Sequence, residues 1–192
     1  MCIRDSKDSL DILQKYGLEK ATPVSVLRYL RDGLEDNNSA STKETPKPGD
    51  GRFETVRNII VGNNFMALEA AAKTAKSLGF HPLILSSSIV GDTSEAARLH
   101  VSIAREILQS GHPIAPPCCL ISGGETTVRV TGDGKGGRNQ EFVLCCAQEI
   151  ANWEYPAILF ASLGSDGDDG PTDAAGAIAT PGTATCAESK SL

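Results

Sequence analysis

Apolar positions fall into two regimes along the chain. From Ser9 to Leu34 they recur at helical spacing: Leu10, Leu13, Tyr16 and Leu18, then Val24, Leu27, Leu30 and Leu34. This predicts two short helices joined at Gly17. Thr22-Pro23 reads as the N-cap and first helical residue of the second. The stretch 36–52 is polar and holds Asn37-Asn38-Ser39, Pro46, Pro48 and Gly49, so it reads as a linker. From Phe53 onward, short apolar runs alternate with helical patterns. The predicted strands are Val56–Val61, Pro82–Leu85, Cys118–Ser122, Thr126–Val130 and Ala157–Leu163. The predicted helices are Asn64–Leu78, Asp92–Gln109 and Asn139–Ala151. The first carries an apolar stripe of Met66, Ala70, Ala71 and Leu78. The second is capped by Asp92 or Thr93, with Glu95 near its start. Gly123-Gly124 is expected to turn the third strand back into the fourth as a hairpin.

Alternating strands and helices with apolar strands imply an α/β fold. The expected form is a mostly parallel sheet with helices on both faces, in Rossmann-like layers. Ligands bind at loops leaving the carboxyl ends of such strands. Three loops qualify: Gly62-Asn63-Asn64, Ser122-Gly123-Gly124 and Gly164-Ser165-Asp166.

Composition narrows the class. The 192 residues are 40% hydrophobic and 22% charged, with a net charge of −6. That is soluble globular material, and the negative balance argues against nucleic acid or an anionic membrane as partner. No apolar run approaches the ~20 residues of a membrane helix, and Met1–Ser6 lacks the apolar core of a secretory signal. Six cysteines (Cys2, Cys118, Cys119, Cys145, Cys146 and Cys186) do not follow zinc-ligand spacing. They read as small buried hydrophobes of a reducing, cytoplasmic setting. His81, His100 and His112 have no partner at ligand spacing and read as surface or partly packed residues.

Candidate chemistry concentrates in two glycine-rich loops. In the first, Lys135 and Arg138 stand where glycines meet a predicted helix start, a recipe for holding an anion. Gly132-Asp-Gly134-Lys-Gly-Gly137 also matches the letters of the dinucleotide fingerprint. Its strand is not the first of a βαβ unit, and the following acid lies about 30 positions on rather than ~20. A P-loop is excluded, because Arg138-Asn139 stands where lysine and a metal-binding hydroxyl belong. The second loop, Gly164–Asp173, carries Asp166, Asp168, Asp169 and Asp173. Carboxylates this close call for a cation. An EF-hand is excluded, because Pro171 replaces the required glycine and Ala177 the closing glutamate. Ser165 lacks the nucleophile-elbow context. Glu125 is a candidate for metal, a sugar hydroxyl or Arg138. One of Asn63 and Asn64 caps the following helix, and the other is a candidate ligand contact.

Three stretches together resemble a family: Ser122-Gly-Gly-Glu-Thr-Thr-Val128, Gly136-Gly-Arg-Asn-Gln-Glu141, and Asp166-Gly-Asp-Asp-Gly-Pro-Thr-Asp-Ala-Ala-Gly176. Their order and spacing resemble the MOFRL-type glycerate kinases, the class II glycerate 2-kinases. The resemblance covers roughly Ser9 to Ala179. It implies transfer of the ATP γ-phosphate to the 2-hydroxyl of D-glycerate with Mg²⁺, giving 2-phosphoglycerate. By motif it implies catalytic roles for Arg138, Asp166 and Asp173, with Asp166 and Asp169 as metal ligands. Substrate or nucleotide contacts would come from Asn64, Gly123, Gly124, Glu125, Lys135, Gly136, Gly137 and Asn139. The partners are then small molecules, ATP and D-glycerate.

The resemblance further implies a two-domain enzyme with a cleft between domains. Residues 1–50 would be the tail of the first domain plus linker. Residues 51–192 would be the α/β domain holding the MOFRL motifs, truncated at its C-terminal end. The missing N-terminal domain, with a catalytic lysine, would complete the site, so this chain alone is expected to be inactive. Met1–Ser6 and Gly182–Leu192 do not resemble the family. The alternative function is a dinucleotide-binding oxidoreductase domain, hydroxypyruvate reductase-like, built on the 132–137 loop.

Overall fold

The computed structural model describes residues 5–35, 45–46, 49–154 and 157–190. It divides into two compact units, Met1–Ile59 and Ile60–Leu192. In the first unit, α1 (Ser6–Lys15) is capped by Asp5, whose carboxylate accepts the Asp8 N–H at 2.7 Å. Gly17, at φ 65°, ends it, and α2 (Val24–Glu35) packs back on it. Both predicted helices are present. The Thr22 hydroxyl donates back to the Leu18 carbonyl, and the Pro23 carbonyl accepts the Val26 and Leu27 N–H groups. Pro23 therefore stands just before α2 rather than as its first residue. The predicted linker, with Asn37-Asn38-Ser39 and Pro48, lies largely outside the described residues.

The second unit has the α/β character the alternating pattern implies. Its helices are α3 (Asn64–Ser77), α4 (Thr93–Ser110), α5 (Arg138–Ile150) and α6 (Gly182–Ser189). Its strands are β1 (His81–Asp92), β2 (Cys118–Thr127), β3 (Phe160–Leu163) and β4 (Gly176–Ala179). They form two pairs rather than one five-stranded sheet: β1 and β2 run parallel, β3 and β4 antiparallel. Helices α3 and α4 pack on the parallel pair. Helix α5 packs on α4 and on the antiparallel pair. Cores form where α4 meets α5 (Ala97, Val101, Cys146, Ile150, with Phe160 of β3) and where α5 meets β4 (Val143, Ala147, Ala179). Burying these apolar side chains is the main force holding the layers together.

Local sequence explains the helix ends. Asn63 caps α3 by accepting the Met66 N–H at 2.9 Å. Asp92 caps α4, accepting from Ser94 and Glu95, and Gly111 at φ 75° closes it. These side chains satisfy helix N–H groups that lack intrahelical partners. In α3 the buried positions are Leu68 and Ala75, while Met66 and Leu78 are exposed, a one-notch rotation of the predicted stripe.

Two strand predictions are corrected. Val56–Val61 joins no sheet, and Ile59, Ile60 and Val61 are 79%, 80% and 88% exposed. An apolar run becomes a strand only where a neighbour takes its backbone hydrogen bonds, and no described strand pairs with it. The predicted hairpin at Gly123-Gly124 is instead continuous strand: β2 runs straight through both glycines beside β1. The register explains why. Ile84 pairs with Ile121, Ser86 with Ser122 and Ile89 with Gly124, so β1 gains two residues over β2 across this stretch. The irregularity bows β1, and a Cβ on Gly124 would overlap the Ile89 backbone. The glycines serve close strand approach, not a reversal.

Candidate active site

All three sequence-nominated loops reach one cleft of about 380 Å³ inside the second unit. Asn64 and Ala71 of α3, Ser122, Gly123, Gly124 and Thr126 of β2, and Ile89 of β1 line one part. Ala96 and His100 of α4, and Arg138, Asn139 and Phe142 of α5, line another. Ala161–Ser165 completes it. The bowed part of β1 supports this wall. Asn64 donates its amide to the Ser87 carbonyl at 2.6 Å, within the bow. That side chain lies where a Cβ on Gly123 would stand, its nearest atoms 2.5 Å away. Gly123 therefore lets Asn64 lie across β2.

Arg138 opens α5 and lies on the cleft wall, 42% exposed. Its Nη1 donates to Glu125 Oε1 at 3.3 Å. Glu125, one residue past Gly124 on β2, thus aims the guanidinium. Arginine stays charged at any working pH and offers a planar fork of donors suited to carboxylate or phosphate.

Glycines were expected to leave the start of α5 open to a substrate anion, but the chain supplies its own anion there. Asp169, 2% exposed, accepts the Asn139 N–H (2.9 Å) and side-chain amide (3.0 Å) on Oδ1. Its Oδ2 accepts the Gln140 N–H (2.8 Å) and side-chain amide (3.0 Å). Burial alone would raise the Asp169 pKa, but these backbone and side-chain hydrogen bonds outweigh it and hold the carboxyl below its ordinary value. Gly137 and Gly170 permit the approach: a Cβ on Gly137 would overlap Asp169, and one on Gly170 would overlap the Gly136 backbone. Asp169 was expected as a metal ligand; here all four of its acceptor positions face N–H donors.

The other nominated residues divide clearly. Asn64, Gly123, Gly124, Arg138 and Asn139 line the cleft, and Glu125 holds Arg138. Asn139 is buried, with its amide shared between Asp169 and Ser162, which donates to Asn139 Oδ1 at 2.6 Å. It is a strut within the wall. Lys135, Gly136, Asp166 and Asp173 are exposed and outside the lining, with Asp166 next to the lining residues Gly164 and Ser165. Gly137 sits half-buried against Asp169. The basic and acidic loops join through neutral amides and one aspartate, not through Lys135 or Arg138. Gly132 and Gly134 also lie outside the lining, which removes the structural basis for a dinucleotide site on the 132–137 loop.

The histidines were expected to be surface or partly packed, and His100 is packed more fully than that. It is 7% exposed on the cleft-facing side of α4. Its Nδ1 lies 2.7 Å from the Ala96 carbonyl and its Nε2 lies 2.8 Å from Ser122 Oγ. Its ring meets Phe142 edge-on at 5.2 Å. The available signal was position: His100 falls in the buried stripe Ala97, Val101 and Ile107 of α4, and a polar residue there needs partners. Cysteine burial is also uneven. Cys146 is fully buried and its thiol is pushed up to about 12. Cys186 is exposed, and Cys118, Cys119 and Cys145 are half-buried.

Residues 118–192 match the model of the MOFRL family. The match runs through Gly182–Leu192, correcting the expectation that this end departs from the family. The glycerate 2-kinase of Pyrococcus horikoshii is 36% identical over 173 residues, which are 90% of this chain and 37% of that protein. The D-glycerate 2-kinase of Thermotoga maritima is 38% identical over 179 residues, 93% of this chain and 38% of that one. The crystal structure of glycerate kinase from Thermotoga maritima superposes with a TM-score of 0.70 at 36% identity, covering 97% of this chain and 40% of that one. The chain therefore spans about two fifths of the length of these relatives. Their names carry no oxidoreductase activity, and the reductase reading is set aside. Among the described residues no helix is long and apolar enough to cross a membrane.

Proposed function

We propose that the cleft is part of a phosphoryl-transfer site that moves the γ-phosphate of ATP to the 2-hydroxyl of D-glycerate, giving 2-phosphoglycerate. The observation that carries this reading is the position of Arg138. Among the described residues it is the one permanent charge on a wall otherwise built of amides, hydroxyls, glycines, aliphatics, Phe142 and His100. Phosphoryl transfer is catalysed mainly by positioning and by charge aimed at the moving phosphoryl oxygens. Arg138, braced by Glu125, would either neutralise those oxygens or clamp the glycerate carboxylate. Gly123 and Gly124 let Asn64 and the Ile89 backbone close in on β2, which shapes this wall of the cleft. The glycerate kinases reported above support the same chemistry. Because they are about 2.5 times as long, the reading includes a contribution from beyond these 192 residues, in which an N-terminal kinase domain completes the site.

For Mg²⁺, Asp166 is the carboxylate that fits. It is exposed, beside Gly164 and Ser165 of the wall, and accepts the Asp168 N–H at 3.3 Å. Asp169 does not fit, since its oxygens are taken, and Asp173, unlike Asp166, adjoins no lining residue along the chain. Among the described residues no group of three or more His, Cys, Asp or Glu stands close enough to hold an ion. One carboxylate suffices for Mg²⁺ that arrives on nucleotide phosphates. Such an ion supplies charge neutralisation to the phosphate oxygens. A cytoplasmic location belongs to the same proposal, supported by free thiols at Cys118, Cys119, Cys145, Cys146 and Cys186.

The test grafts residues 60–190 into the matching stretch of the Thermotoga maritima enzyme and follows ADP release with D-glycerate. Glycerate-dependent turnover is expected, and Arg138→Ala should lower kcat/KM roughly a hundredfold or more. A folded graft without turnover, or turnover indifferent to Arg138→Ala, sinks the proposal.

A further inference from the structure

Two serines on the cleft wall have their protons committed elsewhere. The Ala96 carbonyl can only accept, so His100 Nδ1 carries hydrogen, a tautomer assigned from its partner. In the neutral ring Nε2 is then an acceptor, and the Ser122 hydroxyl 2.8 Å away must donate to it. Ser162 is held the same way by a different route. Asn139 gives its amide N–H to Asp169, which fixes its carbonyl oxygen toward Ser162, and the Ser162 hydroxyl donates to it at 2.6 Å. Both serines line the cleft, and with their protons committed their hydroxyl oxygens have only lone pairs left to offer.

We infer that Ser122 and Ser162 are specificity-determining residues that accept hydrogen bonds from the hydroxyl groups of a small hydroxy acid, with His100 and Asn139 positioning them. The inference rests on the kinase reading above and deepens it. The cleft is divided by polarity: Arg138 donates to an anionic group, and the two serines accept from neutral hydroxyls. An anionic oxygen against either serine would meet lone pairs on lone pairs. A carboxylate or phosphate is therefore turned toward Arg138 and the hydroxyl-bearing carbons toward the serines. A site built to hydrogen-bond a hydroxyl rejects the analogue lacking it far more strongly than an apolar pocket rejects an added group.

Binding and turnover separate the two claims. Calorimetry on the 192-residue chain compares D-glycerate with D-lactate, which lacks the terminal hydroxyl, and with 3-hydroxypropionate, which lacks the 2-hydroxyl. Glycerate should bind roughly tenfold or more tighter than at least one analogue. Ser122→Ala and Ser162→Ala should each reduce that preference about fivefold or more, chiefly by weakening glycerate. His100→Leu frees the Ser122 proton and should erode the preference. His100→Gln, whose carbonyl can accept that proton, should restore part of it, which a merely structural role for the ring would not produce. Equal binding of all three acids, no glycerate binding, or a preference untouched by both serine variants overturns the inference. Serine-dependent selective binding without turnover in the graft overturns only the kinase reading. Turnover with serine-independent selectivity overturns only this one.

Discussion

Asp169 ties two loops together with one carboxylate. Removing it strands the Asn139 and Gln140 N–H groups at the start of α5 and releases the Asn139 amide that steadies Ser162. Asp169→Ala should cost about 2–4 kcal/mol of stability, since buried donors lose a charged acceptor. Urea unfolding of the chain measures it, and a loss within 0.5 kcal/mol or so, the ordinary surface effect, would contradict the capping role. The pH dependence has a definite sign. A carboxyl held low in the folded state contributes stability that is present above its unfolded pKa and is lost as pH falls through the folded value. Unfolding curves should therefore weaken below about pH 4, and Asp169→Asn should flatten that decline. At Arg138, a lysine keeps charge but loses the planar fork. Arg138→Lys in the graft should fall between wild type and Arg138→Ala in kcat/KM.

At the scale of elements, helix ends were legible because capping is local chemistry. Asn63 and Asp92 act within three residues of their own positions. Asn63→Ala should destabilise by about 1 kcal/mol. The β1–β2 pair was misjudged because its decisive feature is a relation between strands. Gly123-Gly124 has the letters of a turn, and only the extra residues of β1 opposite it make the glycines part of a straight strand. Gly124→Ala, which drives a Cβ into the Ile89 backbone, should cost more than Asn63→Ala, about 2–4 kcal/mol by the overpacking mechanism. Thermal melts of both variants give the order, and a reversed order would count against the close approach at Gly124. The start of α5 taught a similar lesson: glycines and a helix N-terminus predict anion binding, and the anion proved to be a side chain 30 residues downstream.

At the scale of the whole molecule, the second unit gathers loops from three distant stretches onto one cleft. The 132–137 glycines stay outside it, so an NADH fluorescence titration of the chain should be flat. A saturable signal would reopen dinucleotide binding. The alternation of apolar runs and helical patterns determined the α/β class without any structure, because side-chain periodicity is a property of each element alone. The motif residues Arg138, Asn64, Gly123 and Gly124, singled out in the sequence, all line the cleft. Tertiary structure decided what those residues face. It buried Asp169 as a cap, set Glu125 against Arg138, and brought His100 from α4 to Ser122 on β2. Those pairings join residues 13 to 30 positions apart. Local spacing carries no record of such contacts, because they exist only once the elements pack.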